Sequence, residues 1–291
     1  MIKKGIILSG GMGTRMSPLT KAVNKQLLPI YDKPLIFYPL SILMLSNIRN
    51  ILIIVNKGQL EQYKKILPNG KNLGLNISYK EQESPKGLPD AFIIGKEFIG
   101  KENVALILGD NFFYGQSLSS LLTECNKLKK GSIVLLHKVK NPQLYGVAKV
   151  KRHKIIGIKE KPKKFFSDLA ITGLYYFDNK VIDYANSLKP SKRGELEITD
   201  LLKKYKNKNS LKAKFLGRGG TWLDSGSIED FYKTSAFVST IENRQGFKIA
   251  CLEEIALNNK WIKKKEIIES IKFYGKCEYS SYLEKLIKNE K

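Results

Sequence analysis

Largely apolar runs of strand length alternate along this chain with segments whose apolar residues recur at the period of a helix. The runs cover residues 5–9, 51–55, 104–108, 132–137 and 173–177, and the helix-period segments between them include residues 35–45, 91–98 and 118–128. Strands that are apolar on both faces are typical of parallel sheets covered by helices on either side. The alternation therefore predicts an α/β fold in which a mixed, mostly parallel sheet carries helices on both faces.

The remaining patterns complete this architecture. Residues 145–150 and 155–160 flank a polar tip and predict a hairpin. From residue 228 onward the pattern becomes helical, with helices predicted at residues 228–241, 253–258, 263–271 and 279–288. We therefore predict a single-domain, Rossmann-like core over residues 1–240 and a helical C-terminal appendage over residues 241–291 that packs on the core.

Composition narrows the possible partners. The formal net charge of +24 is high enough to raise nucleic acid or a membrane surface as a partner. The 45 lysines, however, are spread along the whole chain, with no dense basic arm and no aromatic residues interleaved. We therefore expect no nucleic-acid partner. No apolar stretch is long enough to span a membrane, and the three scattered cysteines fit a reducing compartment. The sequence thus predicts a cytoplasmic protein without a membrane partner.

A glycine-rich turn follows the first predicted strand, in the stretch GIILSGGMGTRMSPLT at residues 5–20. A dinucleotide-binding loop would need glycine in place of Met16, and a P-loop would need a lysine and a different spacing. Free amides at residues 10–14 can form an anion nest, and the Arg15 guanidinium can bridge two phosphate oxygens. With Lys25 as a second cation, the stretch predicts a phosphate-binding loop. The alternative is a plain tight turn with an exposed arginine.

Two aspartates stand where a sheet of this kind presents its ligand-binding edge. Asp110 closes the strand LILGDN at residues 106–111, and Asp224 lies between glycines in GTWLDSG at residues 220–226. Two carboxylates at one edge could share a Mg²⁺ ion, which prefers hard oxygen ligands. The alternative for Asp110 is that it caps the following turn or helix.

A third group of charged residues lies in KEKP at residues 159–162 and RGELEITD at residues 193–200. Neighbours on an extended strand point to opposite faces, so only one of Glu160 and Lys161 need face a pocket. A lysine together with Arg193 could hold a second phosphate, that of a monoester. The acidic residues after Arg193 have an alternative use, because they favour the N-terminus of a helix.

In this order, these stretches resemble the glucose-1-phosphate thymidylyltransferase family of sugar nucleotidylyltransferases. The similarity runs from about residue 3 to residue 289 and includes YGV, TGLYYF and the ending ENRQGFKIACLEEIA. Sugar nucleotidylyltransferases in general share the first loop, but not this ending. The chain departs from the family pattern at Met12, where a small hydroxyl residue is usual, and at Pro89 and Asp90.

The resemblance implies a Mg²⁺-dependent enzyme that transfers a deoxythymidylyl group from dTTP to glucose 1-phosphate and releases pyrophosphate. This reaction opens the synthesis of dTDP-L-rhamnose and related deoxysugars. The family also implies a homotetramer with a feedback site for dTDP-L-rhamnose near residues 114–119, 218 and 251–255, so that the C-terminal segment serves interfaces and regulation. The alternatives are a sugar-1-phosphate nucleotidylyltransferase that uses UTP or another nucleotide, and a basic protein that binds nucleic acid.

The resemblance also implies site residues, position by position. The implied nucleotide-binding residues are Leu8, Gly10, Gly11, Gly13, Thr14, Arg15, Lys25, Gln26, Gln82, Gly87 and Asp110. The implied sugar-phosphate residues are Tyr145, Gly146, Glu160, Lys161, Ile171 and Arg193. Asp110 and Asp224 correspond to the metal ligands, and the implied catalytic set is Arg15, Lys25, Asp110, Lys161 and Asp224.

Overall fold

A nine-stranded mixed sheet forms the centre of the computed structural model, which describes residues 1–289. The strands of the described chain are β1 (Lys4–Ser9), β2 (Pro29–Ile30), β3 (Lys33–Pro34), β4 (Asn50–Asn56), β5 (Asn76–Gln82), β6 (Val104–Leu108), β7 (Asn111–Gly115), β8 (Ser132–Lys138), β9 (Gly146–Lys151), β10 (Lys154–Glu160), β11 (Leu169–Phe177), β12 (Leu211–Phe215) and β13 (Gly220–Asp224). Two small ribbons, β2 with β3 and β7 with β13, lie outside the large sheet.

The middle of the sheet is parallel, in the order β5, β4, β1, β6. In this region Ile7 lies opposite Ile53 on one side and Ile107 on the other, and all three side chains are fully buried. Strand β11 then runs antiparallel to β6 and connects it to the pairs β8–β12 and β9–β10. The predicted mixed, mostly parallel sheet is confirmed, and so is the hairpin, which is β9–β10.

Helices cover both faces of the sheet. Within the described residues they are α1 (Phe37–Leu45), α2 (Leu60–Ile66), α3 (Asp90–Ile94), α4 (Lys96–Ile99), α5 (Leu118–Asn126), α6 (Val181–Asn186), α7 (Ile198–Asn207), α8 (Ile228–Gln245), α9 (Leu252–Asn258), α10 (Lys264–Tyr274) and α11 (Glu278–Asn289). One apolar core joins the sheet to α1, α5 and the C-terminal helices α9 to α11. A second core joins the opposite face to α3, α4, α6 and α7.

Two helical regions differ from the sequence expectations. The segment 91–98, predicted as one helix, is divided at Gly95 into α3 and α4. A Cβ at Gly95 would lie 2.8 Å from the Ala91 carbonyl oxygen and 2.9 Å from Ile6 Cδ1, so the glycine lets this region approach the sheet closely. Helix α8 runs without a break through residue 240, where the core was predicted to end.

The C-terminal helices are an integral part of the packing. Leu252 of α9, Ile267 of α10 and Leu283 of α11 are all fully buried in the first core. Burial of such side chains stabilises the fold by roughly 1.5–3 kcal/mol each. No helix among residues 1–289 is both long enough and apolar enough to cross a membrane.

Candidate active site

A cleft of about 490 Å³ opens at the carboxyl ends of β1, β5 and β6, where ligands bind in open α/β sheets. Its lining includes most of the residues predicted for a site, namely Leu8, Gly10, Gly11, Arg15, Gln82, Gly87, Asp110, Tyr145, Gly146, Glu160, Lys161, Ile171, Arg193 and Asp224. Gly13, Thr14, Lys25 and Gln26 are not among the lining residues. The fold thus brings together residues from both halves of the sequence.

The glycine loop after β1 is shaped by close approaches. Gly11 has a φ of +99°, which favours glycine, and a Cβ at Gly10 would lie only 1.6 Å from Gln82 Nε2. Asn56, at the end of β4, accepts a hydrogen bond from the Gly11 amide at 3.1 Å and donates one to the Gly11 carbonyl at 2.9 Å. This clamp holds the loop against the sheet edge. Sequence reasoning missed Asn56, although its place after a predicted strand was a usable signal.

The rest of the loop forms its outer wall. Gly13, with a φ of +59°, precedes a short 3₁₀ turn at Thr14–Met16, and Thr20 Oγ1 donates to the Gly13 carbonyl at 2.8 Å. Gly13 and Thr14 therefore shape the loop, and the structure does not place them on the cleft surface. Met12 is exposed.

Arg15 presents its charge to the cleft. Its guanidinium lies against Gly226, where a Cβ would come within 2.9 Å of Nη2. The charge of Arg15 offsets part of the rise that burial and Asp110 cause in the pKa of Asp224, so the two charges interact. The side chain forms no salt bridge within the described chain. The positive charge is consequently available to an anion bound in the cleft.

The β7–β13 ribbon brings the two predicted aspartates together. In its register Asp224 lies opposite Asn111, the residue after Asp110, and the Ser225 amide donates to the Asp110 carbonyl at 3.0 Å. Tyr145 Oη donates to Asp224 Oδ1 at 3.1 Å. Burial, together with the nearby charge of Asp110, raises the pKa of Asp224 to about 6. Two carboxylates whose negative charges disfavour each other are suited to hold a cation between them.

Lys25 and Asn111 set the state of Asp110. Burial raises the pKa of the Asp110 carboxyl, but its ion pair with Lys25 outweighs this effect, and the pKa is lowered overall. Asn111 Nδ2 donates to Asp110 Oδ1 at 2.9 Å. Lys25, which was predicted to contact phosphates, pairs with Asp110 in this structure. Gln26 is buried behind the site, where a Cβ at Gly109 would lie 3.0 Å from its Cγ.

The donor set fits a hard divalent cation that is completed by substrate oxygens. No group of three or more His, Cys, Asp or Glu side chains in residues 1–289 is placed to hold a metal ion on its own. Asp110 and Asp224 offer two carboxylates, and Asp230 lines the cleft near them. Oxygen ligands of this kind, with further ligands supplied by phosphates, suit Mg²⁺.

Repulsion between the Asp110 and Asp224 carboxylates is expected to lower the stability of the folded protein. At roughly pH 7.5 and in the presence of a chelator, the Asp224→Asn variant is expected to have a free energy of unfolding about 1–3 kcal/mol higher than that of the parent. Because the pKa of Asp224 is about 6 in the folded protein and 3.8 ordinarily, the folded state holds its proton more tightly than the unfolded chain. The parent therefore loses stability as the pH rises from about 4 to about 6. Asparagine carries no charge and can still accept the Tyr145 hydrogen bond.

Denaturant unfolding at a series of pH values measures this difference. The gain should shrink as the pH falls toward about 4. The exposed Asp183→Asn variant is the control and should show little change. An Asp224→Asn variant that is no more stable than the parent near neutral pH would contradict the role of like-charge repulsion.

A second charged region lies at the end of β10. The chain leaves the strand at Lys161, which has a φ of +38° and donates its amide to the Tyr145 carbonyl at 3.0 Å. As a result both Glu160 and Lys161 line the cleft, although strand alternation required only one of them to do so. Lys161 forms no salt bridge with any residue in the described part of the chain.

Arg193 is balanced by carboxylates. Its guanidinium lies 2.9 Å from Glu195, 3.8 Å from Glu197 and 3.9 Å from Glu160. Burial and the nearby Glu197 charge raise the pKa of Glu160. Arg193 therefore holds an acidic cluster in place at this end of the cleft and shares its charge among the members.

Several residues of the cleft were missed by sequence reasoning. Trp222 packs on Tyr145 with ring centroids 5.1 Å apart, and its Nε1 donates to Asn111 Oδ1 at 2.6 Å. Thr199, at the start of α7, also lines the cleft. Trp222 lies within the quoted GTWLDSG stretch, so its proximity to Asp224 was a signal. Thr199 lies within the quoted RGELEITD stretch, whose acidic residues indicated the start of a helix, but nothing in the sequence singled out the threonine itself.

The close packing around Asn111 supports a second prediction. The Gly173→Ala variant is expected to lose about 10- to 100-fold in kcat. A Cβ at this position would lie 2.4 Å from Asn111 Oδ1, which accepts hydrogen bonds from the Gly173 amide at 3.0 Å and from Trp222. Asn111 must move, and Asp110 loses the donor that orients it. The control is Gly219→Ala, because a Cβ at Gly219 meets nothing within 4 Å. Equal kcat values in the two variants would contradict this account.

This chain is similar to known nucleotidyl transferases. The profile of the family described as Nucleotidyl transferase matches residues 4–241. The glucose-1-phosphate thymidylyltransferase of Neisseria meningitidis serogroup A is 48% identical over 286 residues, which cover 98% of this chain and 99% of that protein.

Two solved structures resemble this chain in fold and in sequence. A crystal structure from Bacillus anthracis, described as a glucose-1-phosphate thymidylyltransferase in complex with a sucrose, has a TM-score of 0.75 and 37% identity, over 80% of this chain and 94% of that one. The structure of a UDP-glucose pyrophosphorylase with UDP-glucose has a TM-score of 0.73 and 29% identity, over 83% of this chain and 100% of that one. The match to the Neisseria protein spans the cleft and the C-terminal helices alike.

Proposed function

This chain belongs to the nucleotidyl transferase family, and on that premise we propose that it transfers a deoxythymidylyl group from dTTP to glucose 1-phosphate. The products are dTDP-glucose and pyrophosphate. The observation that carries the proposal is that Arg15 and Lys161, two cations without salt-bridge partners in the described chain, line the same cleft as the Asp110–Asp224 pair. Such a site matches a reaction between two phosphorylated substrates.

The chemistry demands positioning and charge neutralisation. A phosphate oxygen of glucose 1-phosphate attacks the α-phosphorus of the nucleotide in line with the departing pyrophosphate. The attacking group is already ionised near neutral pH, so the site needs no general base. The two substrates repel each other, and the residues must hold them together against that repulsion.

Different residues of the cleft bind the nucleotide, bind the sugar phosphate and neutralise charge. The glycine loop contacts the triphosphate at Gly10 and Gly11, and Arg15 stabilises the negative charge shared between the attacking and leaving groups. Lys161 and Arg193 attract the sugar phosphate, and Glu160, with Tyr145, Gly146 and Ile171, surrounds the sugar. Gln82 and Gly87 lie at the base edge. Lys25 acts through Asp110, with which it pairs.

We propose that Mg²⁺ is the cofactor and that Asp110 and Asp224 are its protein ligands. When bound, the ion neutralises charge on the phosphate oxygens that it contacts. Asp110 is ready to bind it, because Lys25 lowers the pKa of this carboxyl. Tyr145 orients Asp224 through its hydrogen bond.

A second cavity, of about 250 Å³, lies among the residues near which the resemblance implies a feedback site. It is lined by Tyr114 and Ser119 of the core and by Lys248, Cys251 and Glu254 near α9. We propose that a feedback ligand related to the end product dTDP-L-rhamnose binds here. We further propose that residues 241–291 contribute to contacts in a homotetramer, and that the enzyme is cytoplasmic and opens a dTDP-L-rhamnose or related deoxysugar pathway.

The test is pyrophosphate release with glucose 1-phosphate and Mg²⁺ while the nucleotide is varied. We expect dTTP to give the highest kcat/KM among dTTP, UTP, CTP, ATP and GTP, and we expect a chelator to abolish release. A preference for UTP, the nucleotide related to the product in the UDP-glucose pyrophosphorylase structure, would replace dTTP in the proposal. No release with any nucleotide would overturn it.

A further inference from the structure

We propose that Asn56 is a positioning residue that fixes the orientation of the Gln82 carboxamide and thereby selects pyrimidine bases that carry a ring N–H. The proposal rests on the proposed function and deepens it, because it names how one side chain outside the phosphate and sugar subsites contributes to choice of base. Asn56 and Gln82 are the last residues of β4 and β5 and lie opposite each other in the register of these parallel strands.

The backbone of the glycine loop fixes the orientation of Asn56. The Gly11 amide donates to Asn56 Oδ1 at 3.1 Å, and Asn56 Nδ2 donates to the Gly11 carbonyl at 2.9 Å. A carboxamide turned by half a rotation would bring two donors together at one contact and two acceptors together at the other. Because a backbone N–H can only donate and a backbone carbonyl can only accept, the oxygen of Asn56 must lie on the amide side.

The orientation of Asn56 then decides that of Gln82. Asn56 Oδ1 is an acceptor, and it receives a second hydrogen bond from Gln82 Nε2 at 2.9 Å. The opposite orientation of Gln82 would place its oxygen against the oxygen of Asn56. The Gln82 side chain also packs so closely on Gly10 that a Cβ there would lie 1.6 Å from Nε2. The carboxamide is thus held in one orientation by a chain of contacts that begins at the loop backbone.

This arrangement leaves Gln82 Oε1 as an acceptor without a donor in the described chain. Gln82 is 5% exposed and lines the cleft. A nearly buried carbonyl oxygen is stabilised by a ligand that donates a hydrogen bond to it. Thymine and uracil carry a hydrogen on ring nitrogen N3, whereas cytosine has a lone pair there. An oxygen opposite this position therefore favours thymine and uracil and disfavours cytosine.

The experiment compares dUTP with dCTP, because neither base has the methyl group of thymine. We expect the parent to prefer dUTP by roughly 10- to 100-fold in kcat/KM for pyrophosphate release. In Asn56→Ala the carboxamide of Gln82 is free to turn and offer its NH₂ group to cytosine, so this preference should fall at least about tenfold. A substitution that only loosens the glycine loop lowers kcat/KM for dUTP and for dCTP alike and leaves their ratio unchanged.

The matched variant is Asn56→Asp, which keeps an acceptor for both the Gly11 amide and Gln82 Nε2 but loses the donor to the Gly11 carbonyl. It should retain the parent's preference for dUTP even if its activity is lower. If Asn56→Ala does not fold, Asn56→Ser removes the same carboxamide with a smaller change. An unchanged ratio after loss of the carboxamide, or an equal fall in Asn56→Asp, would overturn the proposal. Absence of activity in the parent would instead contradict the proposed function.

Discussion

Replacing Arg15 by alanine is expected to lower kcat about 100- to 1000-fold and to change the free energy of unfolding by less than about 0.5 kcal/mol. The side chain is exposed and has no salt-bridge partner in residues 1–289, so the folded protein loses little when it is removed. The loss falls instead on the reaction, in which the guanidinium faces negative charge that develops between two phosphates. Steady-state kinetics and denaturant unfolding of the same preparation measure the two quantities.

Two further variants test whether the effect belongs to this arginine. Arg244→Ala removes an exposed arginine near the end of α8 and should leave kcat unchanged. Arg15→Lys keeps the charge but not the planar fork, and should recover only part of the lost activity. Near-normal turnover in Arg15→Ala, or a large loss of stability, would rule out the assigned role.

The Asp110→Asn variant is expected to lose about 100- to 1000-fold in kcat and to need at least about tenfold more Mg²⁺ for half-maximal activity. The change removes one of the two carboxylates proposed to hold the ion. It also leaves the half-buried Lys25 without its ion-pair partner. A titration of activity against Mg²⁺ concentration separates weaker metal binding from slower chemistry.

Asp183→Asn, outside the cleft, is the control and should show the parent's Mg²⁺ dependence. The Lys25→Met variant adds a second comparison, because it removes the cation that lowers the pKa of Asp110 while leaving the carboxylate. Its activity should fall more steeply than that of the parent as the pH decreases. An Asp110→Asn variant with an unchanged Mg²⁺ requirement would contradict the assignment of Asp110 as a ligand.

The buried strands of the central sheet could be predicted because each is a run of consecutive apolar residues. Residues 104–108 were predicted as a strand and form β6 with the same bounds, and residues 5–9 lie within β1. The ribbon strands β7 and β13 could not be predicted in this way. Each has only five residues and includes glycine, and each is stabilised by the other across a long separation in the sequence.

The residues of the site, like the strands, differ in whether the sequence alone could identify them. The glycine loop and Asp110 stood out because each follows an apolar strand, and Asp224 stood out because it lies between glycines in GTWLDSG. Asn56 and Asn111 did not stand out, because an asparagine in isolation has many uses. Their roles exist only through their partners, Gly11 and Gln82 for the first, and Gly173, Trp222 and Asp110 for the second.

The sequence by itself determined the α/β architecture and indicated most of the charged residues of the cleft, since strand burial and phosphate-binding residue types are properties of short stretches. Only the tertiary structure decided how these residues are used. It paired Lys25 with Asp110, left Arg15 and Lys161 without salt-bridge partners in the described chain, and set Asp224 beside Asp110 through the β7–β13 ribbon. Charge interactions depend on distance and burial, and both are fixed when separate parts of the chain pack together.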